Sequence, residues 1–379
     1  MFKRILLYFI TWRIALFFIA FLAIYFLPVF GGRFPYADRV LEVTHLPNWI
    51  WGFGNFDGVH YLRIAQNGYT SEYTQAFFPL FPLLIRFFSS FFPHVSGLDT
   101  NVFTDTSYFY SGIVLSNIFF LGSLFIFYKL VNLDFKKNIA VWSVIFLLAF
   151  PTSFYFGAVY TESLFFLLVV AAIYLIRKKQ FFWGAILISL STATRIFGVL
   201  LTPLYLIEVY ENKRGLDFLW TLVTPLGIIA YMYFLKTEFN NPFYFLTSQP
   251  VFGAERSSGE IIFLPQVIYR YIKIFLTTNI FSLTFFNAFW EFLFTLVPIT
   301  LLILFFKRMR FSYWFFSISA LMLPTLTGTF SSMPRYALLS FLLIPYVIKN
   351  VKKKILLVTL CAALGTILVA LFVRGYWVA

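Results

Sequence analysis

The sequence has little charge and almost no cysteine. Charged residues fill 12% of its 379 positions, about half the roughly 25% of an ordinary soluble domain. So few charges cannot cover the surface of a soluble chain this long, which excludes a cytosolic globular fold. One cysteine, Cys361, lies inside an apolar run, so neither a disulfide framework nor a cysteine metal site is possible. There is no D-x-D pair. The three histidines, His45, His60 and His94, are too far apart to match a metal-ligand spacing, so no metal or other cofactor is expected. Internal repeats and low-complexity tracts are also missing.

Apolar residues take the place of charge, at 61% of the chain, with 55 phenylalanines among them. The apolar runs are continuous rather than alternating, which excludes an outer-membrane barrel and predicts spanning helices. The expected fold is an all-α polytopic membrane protein. Its runs lie at 6–30, 108–130, 139–150, 162–176, 181–192, 198–210, 216–235, 284–306, 311–327, 336–348 and 355–373, about eleven spans. The first is too long for a signal peptide and reads as a retained anchor. The stretch 261–281 carries Arg270 and Lys273, costly in mid-bilayer, and reads as an interfacial helix.

A net charge of +14 raises the question of nucleic acid, which the placement of the charge answers. More than half of the 29 basic residues cluster in alternate loops, such as Lys136 and Lys137, Arg177 to Lys179, and Lys349 to Lys354. That is the positive-inside pattern with a cytoplasmic N-terminus, so the excess charge orients the chain in a bilayer. The result is one membrane domain, 1–379, with a large first extracytoplasmic loop at 31–107 and a second at 236–260.

The first loop holds all three histidines and Asp38, Glu42, Asp57 and Glu72. Asp57 follows an aromatic, glycine-broken stretch and opens a helix-like run. It is either an N-cap or a carboxylate made more basic by apolar surroundings. On a helix, His60 and Tyr61 share its face. Arg63 lies in the same stretch. Arg86, after Pro79 and Pro82, either binds a phosphate or reaches the interface as an anchor. Glu162 reads as a charge at a helix start, and Arg195 and Arg335 as interfacial anchors or phosphate ligands at outer ends of spans.

Five blocks resemble the PIG-V family in order and spacing. They are Phe56-Asp57-Gly58-Val59-His60-Tyr61 with Ile64-Ala65 and Gly68-Tyr69; Phe77-Phe78-Pro79-Leu80-Phe81-Pro82; Tyr160-Thr161-Glu162-Ser163; Thr194-Arg195-Ile196-Phe197-Gly198; and Ser332-Met333-Pro334-Arg335-Tyr336. Phe56 stands where that family usually has Trp. The family comprises mannosyltransferases of the glycosylphosphatidylinositol pathway and prokaryotic relatives within the GT-C superfamily. The resemblance implies a GT-C-like helical bundle and a polyprenyl- or dolichyl-phosphate sugar as donor, and it makes mannose the expected sugar. It also implies a glycolipid or glycan acceptor, with Asp57 as catalytic base. His60, Tyr61, Arg63, Arg86, Tyr160, Glu162, Arg195, Arg335 and Tyr336 become the candidate substrate-binding residues. The implied location is the plasma membrane with the site outside, or the endoplasmic reticulum in a eukaryote. A transporter and another polyprenyl-phosphate enzyme, such as a glycan ligase, are the competing readings. The first is disfavoured because charge collects in loops, the second because the large loop comes early.

Overall fold

The computed structural model describes residues 1–31, 41–94, 105–252 and 261–378. Asp38 and parts of both expected extracytoplasmic loops lie outside the described residues. Every regular element among the described residues is helical. The main helices are α1 (Phe2–Phe26), α2 (Asp57–Asn67), α3 (Leu80–Ser89), α4 (Thr106–Asp134), α5 (Lys137–Ala149), α6 (Glu162–Arg177) and α7 (Phe181–Thr192). They continue with α8 (Leu201–Glu211), α9 (Leu226–Phe239), α10 (Leu264–Thr277), α11 (Leu283–Phe305), α12 (Phe311–Thr325), α13 (Ile344–Asn350) and α14 (Lys354–Val373).

Each expected apolar run falls on helical structure, some on one helix and some divided between a 3-10 stretch and a helix. Among the described residues, five helical segments are long and apolar enough to cross a membrane: α1, α4, the stretch Gly215–Phe239 that ends in α9, α11 and α14. The chain is a polytopic membrane protein. Other runs are shorter. The 13 residues of α5 rise about 20 Å, less than the roughly 30 Å of a hydrocarbon core. Tight 3-10 turns extend such segments, Ser153–Gly157 beyond α5 and Ile196–Leu200 ahead of α8. The run at 336–348 is likewise broken into a short turn at Met333–Tyr336, a 3-10 stretch and α13. The expected runs are therefore a mixture of whole and segmented helices.

The core is aromatic. Phe127 of α4 and Phe166 of α6 both meet Phe341 edge-on, and Phe120 stacks on Phe156. Large apolar side chains also face outward, among them Ile14, Phe18, Leu276 and Leu304, as a hydrocarbon solvent permits. At the far end of α6, Arg177 donates to both carboxylate oxygens of Asp134 and to the Tyr313 hydroxyl. Nearby, Arg310 and Ser312 satisfy the buried Glu208. These groups fasten α4, α6, α8 and α12 to one another. The expected interfacial stretch is α10. Its Arg270 donates to the Gly328 carbonyl, and its Tyr271 donates to Glu291 of α11.

Candidate active site

Two carboxylates stand at helix starts. Asp57 is the first residue of α2 and Glu162 the first of α6, where the helix dipole favours negative charge. The N-cap reading of Asp57 does not survive. Phe56 holds the cap position, no side chain caps the helix, and the Asp57 carboxylate accepts a hydrogen bond from Arg335 instead.

Two arginines approach on tight turns. Ser332 takes a left-handed conformation (φ 68°) just ahead of the turn carrying Arg335, and the Thr152 hydroxyl donates to the Pro334 carbonyl at 2.7 Å. Arg195 precedes the turn Ile196–Leu200, which doubles back so closely that a Cβ on Gly198 would lie 2.6 Å from the backbone of Ser191.

The four charges form a row. Arg335 Nη1 lies 2.7 Å from Asp57 Oδ2, Arg335 Nε 3.5 Å from Glu162 Oε1, and Arg195 Nη1 2.5 Å from the same Glu162 oxygen. Two positive and two negative groups balance, as burial requires. The row is graded in access: the Glu162 side chain is 5% exposed, Arg335 7%, Arg195 12% and Asp57 23%. Asp57 is thus the member most open to a reacting molecule, and its Oδ1 has no protein partner among the described residues. Glu162 Oε2 and Arg335 Nε are buried without a hydrogen bond among the described residues. Tyr155, Tyr160 and Tyr336 lie around the Arg335 guanidinium, with ring centroids 5.4 to 5.8 Å away. A narrow pocket reaches Glu162, Arg195, Arg335 and Tyr336. Its other walls are apolar: Phe156, Phe165, Phe166, Val169, Leu338, Leu339 and Phe341.

The remaining sequence candidates divide. Tyr61 is buried with its hydroxyl 3.4 Å from Thr161 Oγ1, beside Glu162. His60 stacks on Phe77 at 4.7 Å and meets Phe252 edge-on, with a buried Nδ1 that has no hydrogen-bond partner among the described residues. Burial lowers its pKa to about 4; Asp57 opposes that shift and Arg63 adds to it. Tyr160 bonds to the backbone beside Asp57. Arg63 donates to Ser71. Arg86 lies outside the row: its Nε and Nη2 donate to the carbonyls of Ala65 and Ile64 in the last turn of α2. The histidines do not meet, since His94 pairs with Asp105 at the start of α4. Among the described residues no group of acidic, histidine or cysteine side chains is placed to hold a metal.

Sequence reasoning missed Asn55, Tyr155 and Arg13. Asn55 lies within the glycine-broken stretch, where nothing local sets it apart, and Tyr155 has no local signal either. Arg13, buried in α1, donates to the Gly157 carbonyl at 2.9 Å and lies 4.1 Å and 4.6 Å from the ring centroids of Phe17 and Phe53. A charge in mid-span is a signal in itself.

Fold and site together define a polytopic membrane protein with a buried carboxylate–arginine row. The chain belongs to the mannosyltransferase (PIG-V) family, whose sequence profile matches residues 2–212. It is 29% identical over 139 residues to GPI mannosyltransferase 2 of Drosophila pseudoobscura pseudoobscura, covering 36% of this chain and 29% of that protein. It is 26% identical over 115 residues to GPI mannosyltransferase 2 of Drosophila melanogaster, covering 30% of this chain and 25% of that one. The matched segment therefore spans less than a third of either relative. No solved structure matches.

Proposed function

We propose that this protein moves a mannosyl group from a polyprenyl- or dolichyl-phosphate donor to a hydroxyl of a glycolipid or glycan acceptor. Transfer occurs on the extracytoplasmic face, with inversion, and Asp57 is the general base. The observation that carries this reading is the Asp57–Arg335–Glu162–Arg195 row.

In the reaction, Asp57 takes the proton of the acceptor hydroxyl as its oxygen bonds to the anomeric carbon. The bond from that carbon to the phosphate oxygen breaks, and the lipid phosphate leaves with one more negative charge. Arg335 and Arg195 are the groups suited to receive it, because guanidinium presents paired donors to phosphate as it does to carboxylate. In the free protein, carboxylates occupy those donors. A donor phosphate that draws Arg335 away from Asp57 also releases the base, so the charge that binds the donor readies the acceptor's proton acceptor.

The test is Asp57→Asn, assayed by transfer of radiolabelled mannose from a polyprenyl-phosphate donor in liposomes. A base role predicts a folded protein with turnover reduced about 10²–10⁴-fold. Wild-type turnover in that variant would sink the mechanism. Donor uptake into the liposomes without transfer would assign the protein to transport instead.

A further inference from the structure

Phe56, immediately before Asp57, has φ 55° and ψ −117°, a region that side chains other than hydrogen rarely enter. Such a link persists only where its surroundings over-determine it, and those surroundings are identifiable. The Tyr160 hydroxyl spans the link: it accepts from the Asp57 N–H at 3.2 Å and donates to the Asn55 carbonyl at 3.0 Å. Tyr160 is 0% exposed, so its phenol faces the interior rather than an incoming molecule. The Asn55 side chain, equally buried, donates from Nδ2 to the carbonyls of Phe372 and Val373, at 2.9 Å and 3.2 Å. Those carbonyls close the last turn of α14, where a helix lacks its own donors. The Phe56 ring rests on Phe372 and on Trp377, with centroids 5.6 Å and 5.1 Å away, and the Trp377 carbonyl is held by Asn287 of α11.

We infer that Tyr160 and Asn55 are positioning residues, which pin the strained Phe56 link to the end of α14 and so aim the Asp57 carboxylate. The inference rests on the reading of Asp57 as base. It takes Tyr160 out of the substrate-binding set, because both hydrogen bonds of its hydroxyl go to the backbone on either side of Phe56. It also gives α14 a part in the site: the Asp57 turn is held by a helix end more than three hundred residues away in sequence.

Tyr160→Phe tests this, since it removes the hydroxyl and keeps the ring. Displacing a reacting group by about 1 Å costs up to about 10²-fold in rate. The expected result is kcat reduced about ten- to hundredfold, with the KM for polyprenyl-phosphate mannose and for the glycolipid acceptor each within about twofold of wild type. Amide hydrogen exchange across residues 55–59 should quicken while the rest of the chain is unchanged. Asn55→Ala should quicken the same amides; if it fails to fold, the isosteric Tyr160→Phe still decides. Unchanged kcat and unchanged exchange in Tyr160→Phe would overturn the inference. So would a raised acceptor KM at wild-type kcat, which would return the hydroxyl to the substrate. Asp57→Asn run alongside separates the two readings. Wild-type turnover there overturns the base and with it the aiming role, whereas the exchange rates report the brace without reference to catalysis.

Discussion

At the scale of single residues, the site depends on which charge faces which. Arg335 touches both carboxylates, and Arg195 only Glu162. Exchanging either arginine for lysine keeps the charge but removes the planar fork. A hydrogen bond to a charged group is worth about 1.5–3 kcal/mol, so donor use should fall about ten- to hundredfold in Arg335→Lys. Arg195→Lys should fall less, because its guanidinium is one carboxylate further from the base. Titration of donor dependence in both variants checks this, and equal, unchanged values would make the arginines structural ties. His60 yields a prediction of opposite character. Its pKa is about 4 in the folded chain and about 6.5 when unfolded. Between those values the unfolded chain binds the proton and the folded chain does not, so stability falls as pH drops from 6.5 towards 4. The loss is at most about 3 kcal/mol, and none of it arises above pH 6.5. The melting temperature of wild type should therefore fall relative to that of His60→Phe as pH is lowered through that window. Parallel curves would show that the imidazole is not shielded.

At the scale of elements, the two carboxylates share one device: each begins a helix, and each helix is aimed by something outside it. For α2, Arg86 of α3 donates to the carbonyls of Ile64 and Ala65, which also places a cation at the helix C-terminus where the dipole favours it. Arg86→Ala should lower stability by about 1–2 kcal/mol while leaving the KM for the lipid-phosphate donor unchanged. A raised donor KM at normal stability would put Arg86 back among the phosphate ligands. For α6, the far end is tied by the Arg177–Asp134 pair and the Tyr313 hydroxyl, so Glu162 is held from the opposite end of its helix. Helices shorter than the bilayer suit this arrangement. The 3-10 turns at Ser153–Gly157 and Ile196–Leu200 that complete α5 and lead into α8 carry Tyr155 and follow Arg195, so the segments that depart from ideal helix also build the site.

For the whole molecule, sidedness is the open test. Alternating basic loops predict that the Asp57 end is outside and the Arg177 end inside. In a Cys361→Ser background, Glu72→Cys should react with an impermeant thiol reagent in intact cells and Lys178→Cys should not. Both positions are exposed. Labelling of Lys178→Cys from outside would invert the topology. The sequence by itself determined the class, because continuous apolar runs with charge confined between them admit only a polytopic helical protein. It also marked the long helices, such as 108–130 for α4 and 284–306 for α11, to within a few residues, because hydrophobicity along a chain is a local property. Asp57, Glu162, Arg195 and Arg335 were legible as candidates for the same reason, being charges in a chain with few of them. Their pairing was not legible. Asp57 and Arg335 are separated by most of the chain, and the choice of Arg335 rather than Arg86 as its partner is made by packing. Nor could the sequence show that Tyr160 braces the backbone, or that Asn55 is held by the last turn of α14, because a polar side chain in an apolar stretch reads the same whether it faces a substrate or a carbonyl. Only the tertiary structure decides that, by bringing distant backbone groups within hydrogen-bonding distance of a side chain that burial leaves no other partner.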